Sequence, residues 1–268
     1  GFGRTGDYNS RILLLIDGVR SNDNIYDQAS LGTDFPVDLD LVERIEFVPG
    51  PGSSVYGGNA VFGIVNVITR RGADFGGAEA GAAAGSRGTV QGRATWGKQL
   101  DNGADLLLSV SGLRSRGADH RYDELVSPGL PDGAARGLDY DRNRQLYARL
   151  SLGAWSLQLI QAERTKGIPT GAFATAPGVP GTQTVDEQTH VNLGYANALR
   201  ADAELNARAF YGRYRYQGDY VYGFPPLLIN KDKALGEWWG TEVRIVTTAW
   251  SGHKIVAGGE YQTDTHRD

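Results

Sequence analysis

The feature that most constrains this chain is a strict alternation of apolar and polar residues that begins after Gly72. In the segment 145–152, QLYARLSL, the even positions are apolar and the odd positions mostly polar. Segments 105–112 and 204–211 repeat this period of two. Because successive side chains of a strand point to opposite sides, each segment predicts a strand with one apolar and one polar face. The pattern predicts about nine strands, near 77–86, 89–100, 103–116, 143–153, 155–164, 189–200, 203–216, 236–249 and 253–264.

The links between the predicted strands alternate in length. Tight links at 101–103, 152–155, 200–203 and 249–253 alternate with long polar links at 117–142, 165–188 and 217–235. Short turns on one side and long loops on the other are typical of an outer-membrane β-barrel. Aromatic residues near the predicted strand ends fit the interfacial girdles of such barrels: Trp96, Trp155, Tyr195, Tyr211 and Trp250. The alternative is a soluble antiparallel sheet with decorated loops, and either way the fold class is mainly β.

Composition excludes several classes of protein. The net charge is -4 and the 27 Lys and Arg residues are scattered, so no nucleic-acid partner is expected. There is no Cys, which excludes disulfides and thiolate sites, and no Met, which indicates a processed chain or a fragment. The four His residues lack ligand spacing and no nucleophile–base arrangement is visible, so neither a metal site nor an enzyme is predicted. The absence of an apolar run of about 18 residues excludes helical membrane spans only.

Before Gly72 the apolar residues form continuous runs, such as ILLLI at 12–16 and FGIVNVI at 62–68, which predict strands buried on both faces. Between these strands lies the glycine-rich segment GPGSSVYGGNA, at 50–60. It lacks the Lys and the following Ser or Thr of a phosphate-binding loop, and Pro49 and Pro51 remove backbone donors. We therefore expect the glycines to permit positive φ and close packing and not to bind a ligand.

Two stretches carry a resemblance to a known family. RILLLIDGVRSND (11–23) and DLVERIEFVPGPGSSVYGGNAVFGIVNVITRRG (40–72) resemble the second half of the plug domain of TonB-dependent outer-membrane receptors. The residues that carry the plug motif are Asp17, Gly18, Gly50, Pro51, Tyr56 and Gly57. Asp17 is expected to set the IDGV turn through its side-chain acceptor. Position 49 is Pro where the family commonly has Arg, which puts any contact of that Arg in doubt.

The resemblance implies a fold and a function. It implies a small mixed α/β plug, residues 1–72, in the lumen of a transmembrane antiparallel barrel, whose N-terminal part is residues 73–268. The family's barrel has about 22 strands, of which about nine are present here. The implied function is TonB-dependent active transport of a scarce bulky nutrient across the outer membrane of a Gram-negative bacterium. A ferric siderophore is the first expectation, with haem or cobalamin as others.

The same resemblance implies the partners: outer-membrane lipid, a metal chelate and the TonB protein, whose binding segment is not in this chain. No cofactor is implied. The alternative function is a passive or adhesin-like outer-membrane barrel without energised transport. The substrate itself is not encoded in any loop motif that the sequence reveals.

Candidate contact residues follow from strand faces and loop composition. Glu242 and Glu260 fall on the polar faces of adjacent predicted strands, and the plug offers Arg44 and Glu46. We predict that Arg44 pairs with Glu242 or Glu260; the alternative is that both carboxylates are simply solvated. Aromatic residues of the long links are the candidate substrate contacts: Tyr122, Tyr140, Phe173, Tyr216, Tyr220, Tyr222 and Phe224.

Overall fold

The computed structural model describes residues 8–126, 130–223 and 226–268. The continuous apolar runs form a four-stranded sheet of β1 (Ile12–Ile16), β2 (Val19–Arg20), β3 (Val42–Pro49) and β4 (Gly63–Thr69), in the order β2-β1-β4-β3. Strands β1 and β4 are parallel, and the other two pairs are antiparallel. The four-residue helix α1 (Ser53–Tyr56) precedes β4. Leu13 packs on one side of β1 and Leu14 on the other, so this small sheet is buried on both faces at its centre, as predicted.

The alternating segments form a nine-stranded antiparallel sheet, which contains all nine predicted strands. The strands of this sheet are β5 (Gly77–Gly85), β6 (Thr89–Gln99), β7 (Asp105–Ser115), β10 (Asp141–Leu152), β11 (Trp155–Gly167), β12 (Gln183–Arg200), β13 (Ala203–Tyr222), β14 (Leu228–Thr247) and β15 (Ile255–Arg267). The short strands β8 (His120–Arg121) and β9 (Ala134–Ala135) form a separate hairpin. Neighbours in the sheet are neighbours in the chain, apart from the β8–β9 hairpin inserted between β7 and β10. Within the described residues, β5 and β15 are edges that do not pair with each other.

The predicted long link at 217–235 is wrong. Strand β13 continues to Tyr222 and β14 begins at Leu228, so the two form one long hairpin. Polar residues pair across it, with Gln217 opposite Lys233 and Asp219 opposite Lys231. The backbone hydrogen bonds of the hairpin continue where the side chains no longer face an apolar layer. The polar residues of this part have the composition of a loop, which is why the sequence predicted one. The link at 165–188 is likewise shorter than predicted, because β11 ends at Gly167 and β12 begins at Gln183.

One face of the large sheet packs against the small sheet. Ile16, Val37 and Leu41 of the small-sheet region form a buried cluster with Leu107, Tyr147 and Ile160 of the large sheet. The other face of the large sheet exposes apolar side chains, such as Leu150, Leu157 and Val243. The polar-face positions of the sequence pattern are therefore the ones that contact the small sheet, and the apolar-face positions point away from it. No helix in the described part of the chain is both long and apolar enough to cross a bilayer.

Candidate functional site

The segment 21–30 of the small-sheet region is shaped by two side chains, Asn22 and Asp23. The Asn22 amide accepts a hydrogen bond from Leu14 N and donates to Ile12 O and Asp27 O. The Asp23 carboxylate accepts from the backbone N–H groups of Ile25, Tyr26 and Gln28. Burial raises the pKa of Asp23, although these three donors oppose that rise. Short Asn and Asp side chains that bond nearby backbone groups fix a loop without regular structure.

This loop places Tyr26 at the centre of a group of aromatic rings. Tyr26 stacks on Tyr8 at 4.9 Å and meets Tyr214 and Tyr216 of β13 edge-on at 6.2 and 5.8 Å. Tyr216 and Tyr220 share a hydrogen bond between their hydroxyls. Phe173, from the link after β11, meets Tyr220 edge-on at 5.5 Å. We call these six residues the ring cluster, and it joins the small-sheet region to β13.

The ring cluster combines buried and accessible rings. Tyr214 and Tyr220 are buried, whereas Tyr8 is 48% and Phe173 64% exposed. Burial raises the pKa of Tyr26, and the charges of Tyr8, Tyr220, Asp23 and Asp232 raise it further, so this phenol stays neutral at physiological pH. Flat, amphipathic rings of this kind offer contact area at low entropic cost to a large ligand.

Three of the seven predicted substrate residues, Phe173, Tyr216 and Tyr220, meet in the ring cluster. Tyr122 instead stacks on His120, next to the β8–β9 hairpin. The Tyr140 hydroxyl donates a hydrogen bond to the side chain of Gln183, the first residue of β12. Tyr222 is half-buried at the end of β13, and Phe224 lies outside the described residues. The sequence reasoning missed Tyr8, Tyr26 and Tyr214. An aromatic residue within the polar run SNDNIYDQ was the available signal for Tyr26.

A second junction lies at the IDGV turn. Asp17, with φ 50°, accepts from the backbone N–H and the hydroxyl of Thr69, at 2.9 and 2.6 Å. Gln158 of β11 donates to the same carboxylate, and the Tyr147 hydroxyl bonds both Thr69 and Gln158. Arg149 approaches Asp17 at 3.8 Å. Asp17 therefore stands in the turn as expected, but its carboxylate accepts from Thr69 at the end of β4 and from Gln158 of the large sheet and not from the turn's own backbone.

The predicted pairing of Arg44 is wrong in this structure. Arg44 bonds Glu43 at 2.9 Å and Glu46 at 3.0 Å on the exposed strand β3, and Glu46 also accepts from Asn66. The reason is the strand order. The β2 edge of the small sheet faces β13 and β14, and β3 is the opposite edge.

The charged partner of Glu242 is Arg208, which lies directly opposite it on β13. Arg208 also donates to the carbonyl of Gly18, at 2.5 Å, and so joins the IDGV turn to β13. Glu260 lies opposite Glu242 in the register and is exposed. Arg208 was detectable from sequence as an inward-facing charge in a strand next to that of Glu242.

A further charged junction was not predicted. Arg93 of β6, only 7% exposed, contacts Asp40 at 3.1 Å and Asp38 at 3.9 Å, and also bonds Glu79 of β5. Nearby, the Asp105 carboxylate accepts from Gly72 N and Ala73 N, at 2.8 and 2.7 Å. These contacts fix the chain where it passes from the small sheet into β5.

The motif glycines shape the backbone as predicted. Gly18, Gly50 and Gly57 have φ of 77°, 91° and 77°. Segment 50–60 is closed by bonds from Gly50 N to Phe62 O and from Gly52 N to Ala60 O. The Arg20 guanidinium lies against it and donates to the carbonyls of Tyr56 and Gly58. Pro51 lies two residues before α1 and Tyr56 is the last residue of α1, with its side chain exposed.

Comparison with known proteins identifies the small-sheet region. Residues 1–64 match the family described as TonB-dependent Receptor Plug Domain. The match covers β1 to β3, the ring-cluster loop and the glycine-rich segment. It includes the motif residues on which the sequence resemblance rests.

Solved structures extend the similarity to the large sheet. The ferric citrate transporter FecA, unliganded, matches with a TM-score of 0.70 and 20% identity over 96% of this chain and 39% of that chain. The ferric-catecholate import receptor Fiu from E. coli K12 matches with a TM-score of 0.65 and 16% identity, over 96% and 42%. A variant of the ferric enterobactin receptor PfeA from Pseudomonas aeruginosa matches with a TM-score of 0.67 and 16% identity, over 95% of this chain and 41% of that chain.

At these identities the likeness is one of fold. This chain spans about two fifths of the length of the solved receptors that it matches. The nine-stranded sheet has the fold of part of a receptor barrel, which is not closed within the described residues.

Proposed function

We propose that this chain is part of a TonB-dependent receptor and serves the energised uptake of a ferric siderophore across the outer membrane of a Gram-negative bacterium. The plug-domain match and the fold support this proposal. The small-sheet region is then the plug, and the nine-stranded sheet is part of the barrel wall, called the wall below. TonB supplies the force on the plug, the cargo crosses chemically unchanged, and lipid surrounds the outward apolar face of the wall. The division of the chain at residue 72 into plug and barrel is part of this proposal.

The observation that carries the proposal is the shared ring cluster. Tyr26 and Tyr8 belong to the plug, whereas Tyr214, Tyr216 and Tyr220 belong to β13. A ligand that contacts both groups binds plug and wall at the same time. Ligand binding therefore changes the strength of the contacts between the plug rings and the β13 rings, and these are contacts that change when the plug moves.

The plug offers a short physical route from the ring cluster to its core. Tyr26 is held by Asp23, and the neighbouring Asn22 bonds both Leu14 N and Ile12 O of β1. Strand β1 ends at Ile16, next to Asp17 and its bonds to Thr69 and Gln158. A shift of Tyr26 is thus transmitted through hydrogen-bonded backbone to the second plug–wall junction.

The test is binding and uptake by the full-length receptor. Tyr26→Ala and Tyr220→Ala are each expected to raise the Kd of the cognate ferric siderophore about tenfold, since a central aromatic contact costs more than about 1 kcal/mol on truncation. Binding is followed by quenching of tryptophan fluorescence, and uptake by radiolabelled iron. Tyr195→Ala is the matched control, because Tyr195 packs on Trp155 on the outward face of the wall.

The competing functions give different results. Uptake that persists without TonB would favour a passive barrel. If the receptor binds haem or cobalamin and no ferric chelate, that molecule replaces the ferric siderophore as the proposed substrate. Equal affinities of the Tyr26, Tyr220 and Tyr195 variants for the cognate ligand would remove the ring cluster from the binding site.

A further inference from the structure

Carboxylates lie beside the ring cluster on its plug side. Asp23 accepts a hydrogen bond from the backbone N–H of Tyr26 at 2.6 Å, and Asp27 is the residue after Tyr26. Asp34 accepts from the side-chain amide of Gln28 at 2.9 Å, which ties it to the same loop. Asp27 is exposed and Asp34 is half-buried. The plug therefore brings three carboxylates to the loop that carries Tyr26.

The wall adds two carboxylates on its inward face. Asp186 of β12 accepts from the Tyr214 hydroxyl at 2.6 Å and lies opposite Tyr216 in the register. Asp232 of β14 is exposed and lies opposite Gly218, which is two residues from Tyr216 and so on the same face of β13. We call the five residues the acid group: Asp23, Asp27, Asp34, Asp186 and Asp232.

The acid group has no basic partner. Within residues 8–126, 130–223 and 226–268, no Lys, Arg or His nitrogen lies within 4.0 Å of any of its carboxylates. Other carboxylates where the plug meets the wall are paired with arginines, such as Asp40 with Arg93 at 3.1 Å and Asp141 with Arg164 at 2.8 Å. The acid group therefore places uncompensated negative charge around the ring cluster.

Basic side chains on the same strands lie on the other face of the wall. Lys231 and Lys233 of β14 flank Asp232, so the strand period of two directs them to the opposite face. Arg215 of β13 alternates with the rings in the same way, and it pairs with Glu187, which lies opposite it in the register, at 3.8 Å. These basic residues therefore point away from the ring cluster.

The rings favour the same sign of charge in a ligand. The face of an aromatic ring carries partial negative charge and attracts a cation that lies over it. Tyr8 and Phe173 are exposed members of the ring cluster, so their faces are open to such a contact. Rings and carboxylates together are suited to a positively charged group and not to an anion.

An unpaired acceptor lies beside the acid group. Gln188 of β12 is only 5% exposed and is two residues from Asp186 on the same face of the strand. Its amide donates to Ser30, but its side-chain oxygen Oε1 has no hydrogen-bond partner in the described residues. Gln188 lines a small cavity together with Asp34 and Asp186. This oxygen, like the carboxylates, can be satisfied only by a hydrogen-bond donor.

The charge of a ferric chelate depends on the groups that hold the iron. Three hydroxamates, each singly charged, neutralise Fe³⁺, whereas three catecholates, each doubly charged, give a trianion. Every unpaired carboxylate repels a trianion, and the repulsion is stronger at a partly desolvated site than in bulk water. A neutral chelate avoids this repulsion, and a pendant ammonium group is attracted by both the carboxylates and the rings.

We propose that the acid group makes the ring cluster selective for a ferric chelate of zero or positive net charge, such as a ferric trishydroxamate with a pendant ammonium group, and against a trianionic ferric triscatecholate. This inference rests on the proposed function, in which the ring cluster binds the ligand. The rings supply the contact area, and the five carboxylates determine which charge is accepted.

The first experiment compares three chelates on the full-length receptor in detergent. They are a neutral ferric trishydroxamate, the same compound with a pendant ammonium group, and a ferric triscatecholate of similar size. The Kd of each is measured by quenching of tryptophan fluorescence. The trianion is expected to have a Kd at least about tenfold above that of either hydroxamate at about 0.05 M NaCl, and the ratio is expected to fall at about 0.5 M NaCl, because salt screens exposed charges.

The second experiment removes one charge at a time from the exposed part of the acid group. Asp27→Asn and Asp232→Asn conserve side-chain shape, and Asn tolerates the φ of 54° at position 27. Each variant is expected to lower the Kd of the trianion about threefold to tenfold and to leave the Kd of the neutral hydroxamate within about twofold. Asp101→Asn is the matched control, because Asp101 is an exposed carboxylate in the tight turn between β6 and β7, at the other end of the wall.

The results separate this inference from the function on which it rests. If the trianion binds as tightly as the hydroxamates or more tightly, the charge selectivity is overturned and the proposed function stands. If none of the three chelates binds, the proposed function fails and the inference fails with it. If the hydroxamates are preferred but Asp27→Asn and Asp232→Asn change the ratio no more than Asp101→Asn does, the acid group is not the source of the selectivity. The salt dependence of the unmodified receptor tests the charge effect without any variant.

Discussion

At the scale of single residues, two glycines make room for the rings that hold plug and wall together. A Cβ on Gly212 would lie 2.1 Å from Cε2 of Trp238, and one on Gly240 would lie 2.3 Å from Cζ of Phe210. Each ring lies directly opposite its glycine on the neighbouring strand. Both rings belong to the buried cluster that contacts Val19 of the plug. A strand glycine of this kind marks a close approach and is not a weak point of the sheet.

Gly212→Ala is therefore expected to displace Trp238 and to destabilise the folded receptor by about 1–3 kcal/mol, the usual cost of overpacking. The measurement is the urea midpoint of the detergent-solubilised full-length protein, with tryptophan emission as the signal. Gly259→Ala is the control, because Gly259 is also a strand glycine but a Cβ there would meet nothing within 4 Å. A Gly212→Ala midpoint equal to that of the control would show that Trp238 does not depend on this gap.

At the scale of elements, the nine strands were predictable because a period of two needs only neighbouring residues in the sequence. The third long link was mispredicted, since the pairs Gln217–Lys233 and Asp219–Lys231 continue a ladder without an apolar face. The partner of Glu242 was mispredicted for a different reason. Periodicity gives the face of a strand but not the order of strands in the plug, and that order puts Arg44 on the far edge.

The site was predictable to a similar extent. Tyr216 and Tyr220 followed from the aromatic composition of the region, although they lie on β13 and not in a loop. Tyr26 did not follow, because its position depends on the hydrogen bonds of Asn22 and Asp23 within an irregular loop.

The Asp139 carboxylate holds the link between β7 and β10 in place. It accepts from Ala118 N at 2.9 Å, contacts His120 Nε2 at 3.1 Å and pairs with Lys166 of β11. Burial opposes its ionisation, but these donors together lower the pKa of Asp139 to about 2. A carboxyl whose folded pKa lies below its ordinary value of 3.8 contributes its full stabilisation above that value, and the contribution is lost as the pH falls towards 2.

A nitroxide at Ala134, in β9, is expected to report this link. Its mobility should not rise between about pH 8 and pH 5 and should rise between about pH 4 and pH 2. Asp139→Asn should make it mobile at neutral pH. Asp123→Asn serves as the control, because Asp123 forms only an exposed pair with Arg121 in the same link. An increase of mobility centred near pH 6 would assign the transition to a group other than Asp139.

At the scale of the whole molecule, the plug is held at its two edges by different chemistry. On one edge Arg208 and the rings of β13 and β14 hold the IDGV turn and Val19. On the other side Arg93 of β6 holds the segment of Asp38 and Asp40, next to the passage of the chain into β5. Asp38 is buried, so it depends on Arg93 for its charge balance. The plug is thus attached through ionic, hydrogen-bonded and aromatic contacts at its edges, around an apolar centre.

Arg93→Gln is expected to loosen the plug without unfolding the barrel. Removing one partner of a buried ion pair costs about 3–5 kcal/mol, since the remaining charge stays buried and unpaired. That cost falls on the plug–wall contact, so the full-length receptor in a planar bilayer should show a higher ion conductance, which the intact plug suppresses. Arg121→Gln provides the control, because its partner Asp123 is exposed and a surface pair contributes at most about 1 kcal/mol. If Arg93→Gln conducts no more than Arg121→Gln, the buried pair does not keep the plug in place, and the contacts of Arg208, of the β13 and β14 rings and of the apolar cluster on β7, β10 and β11 do so without it.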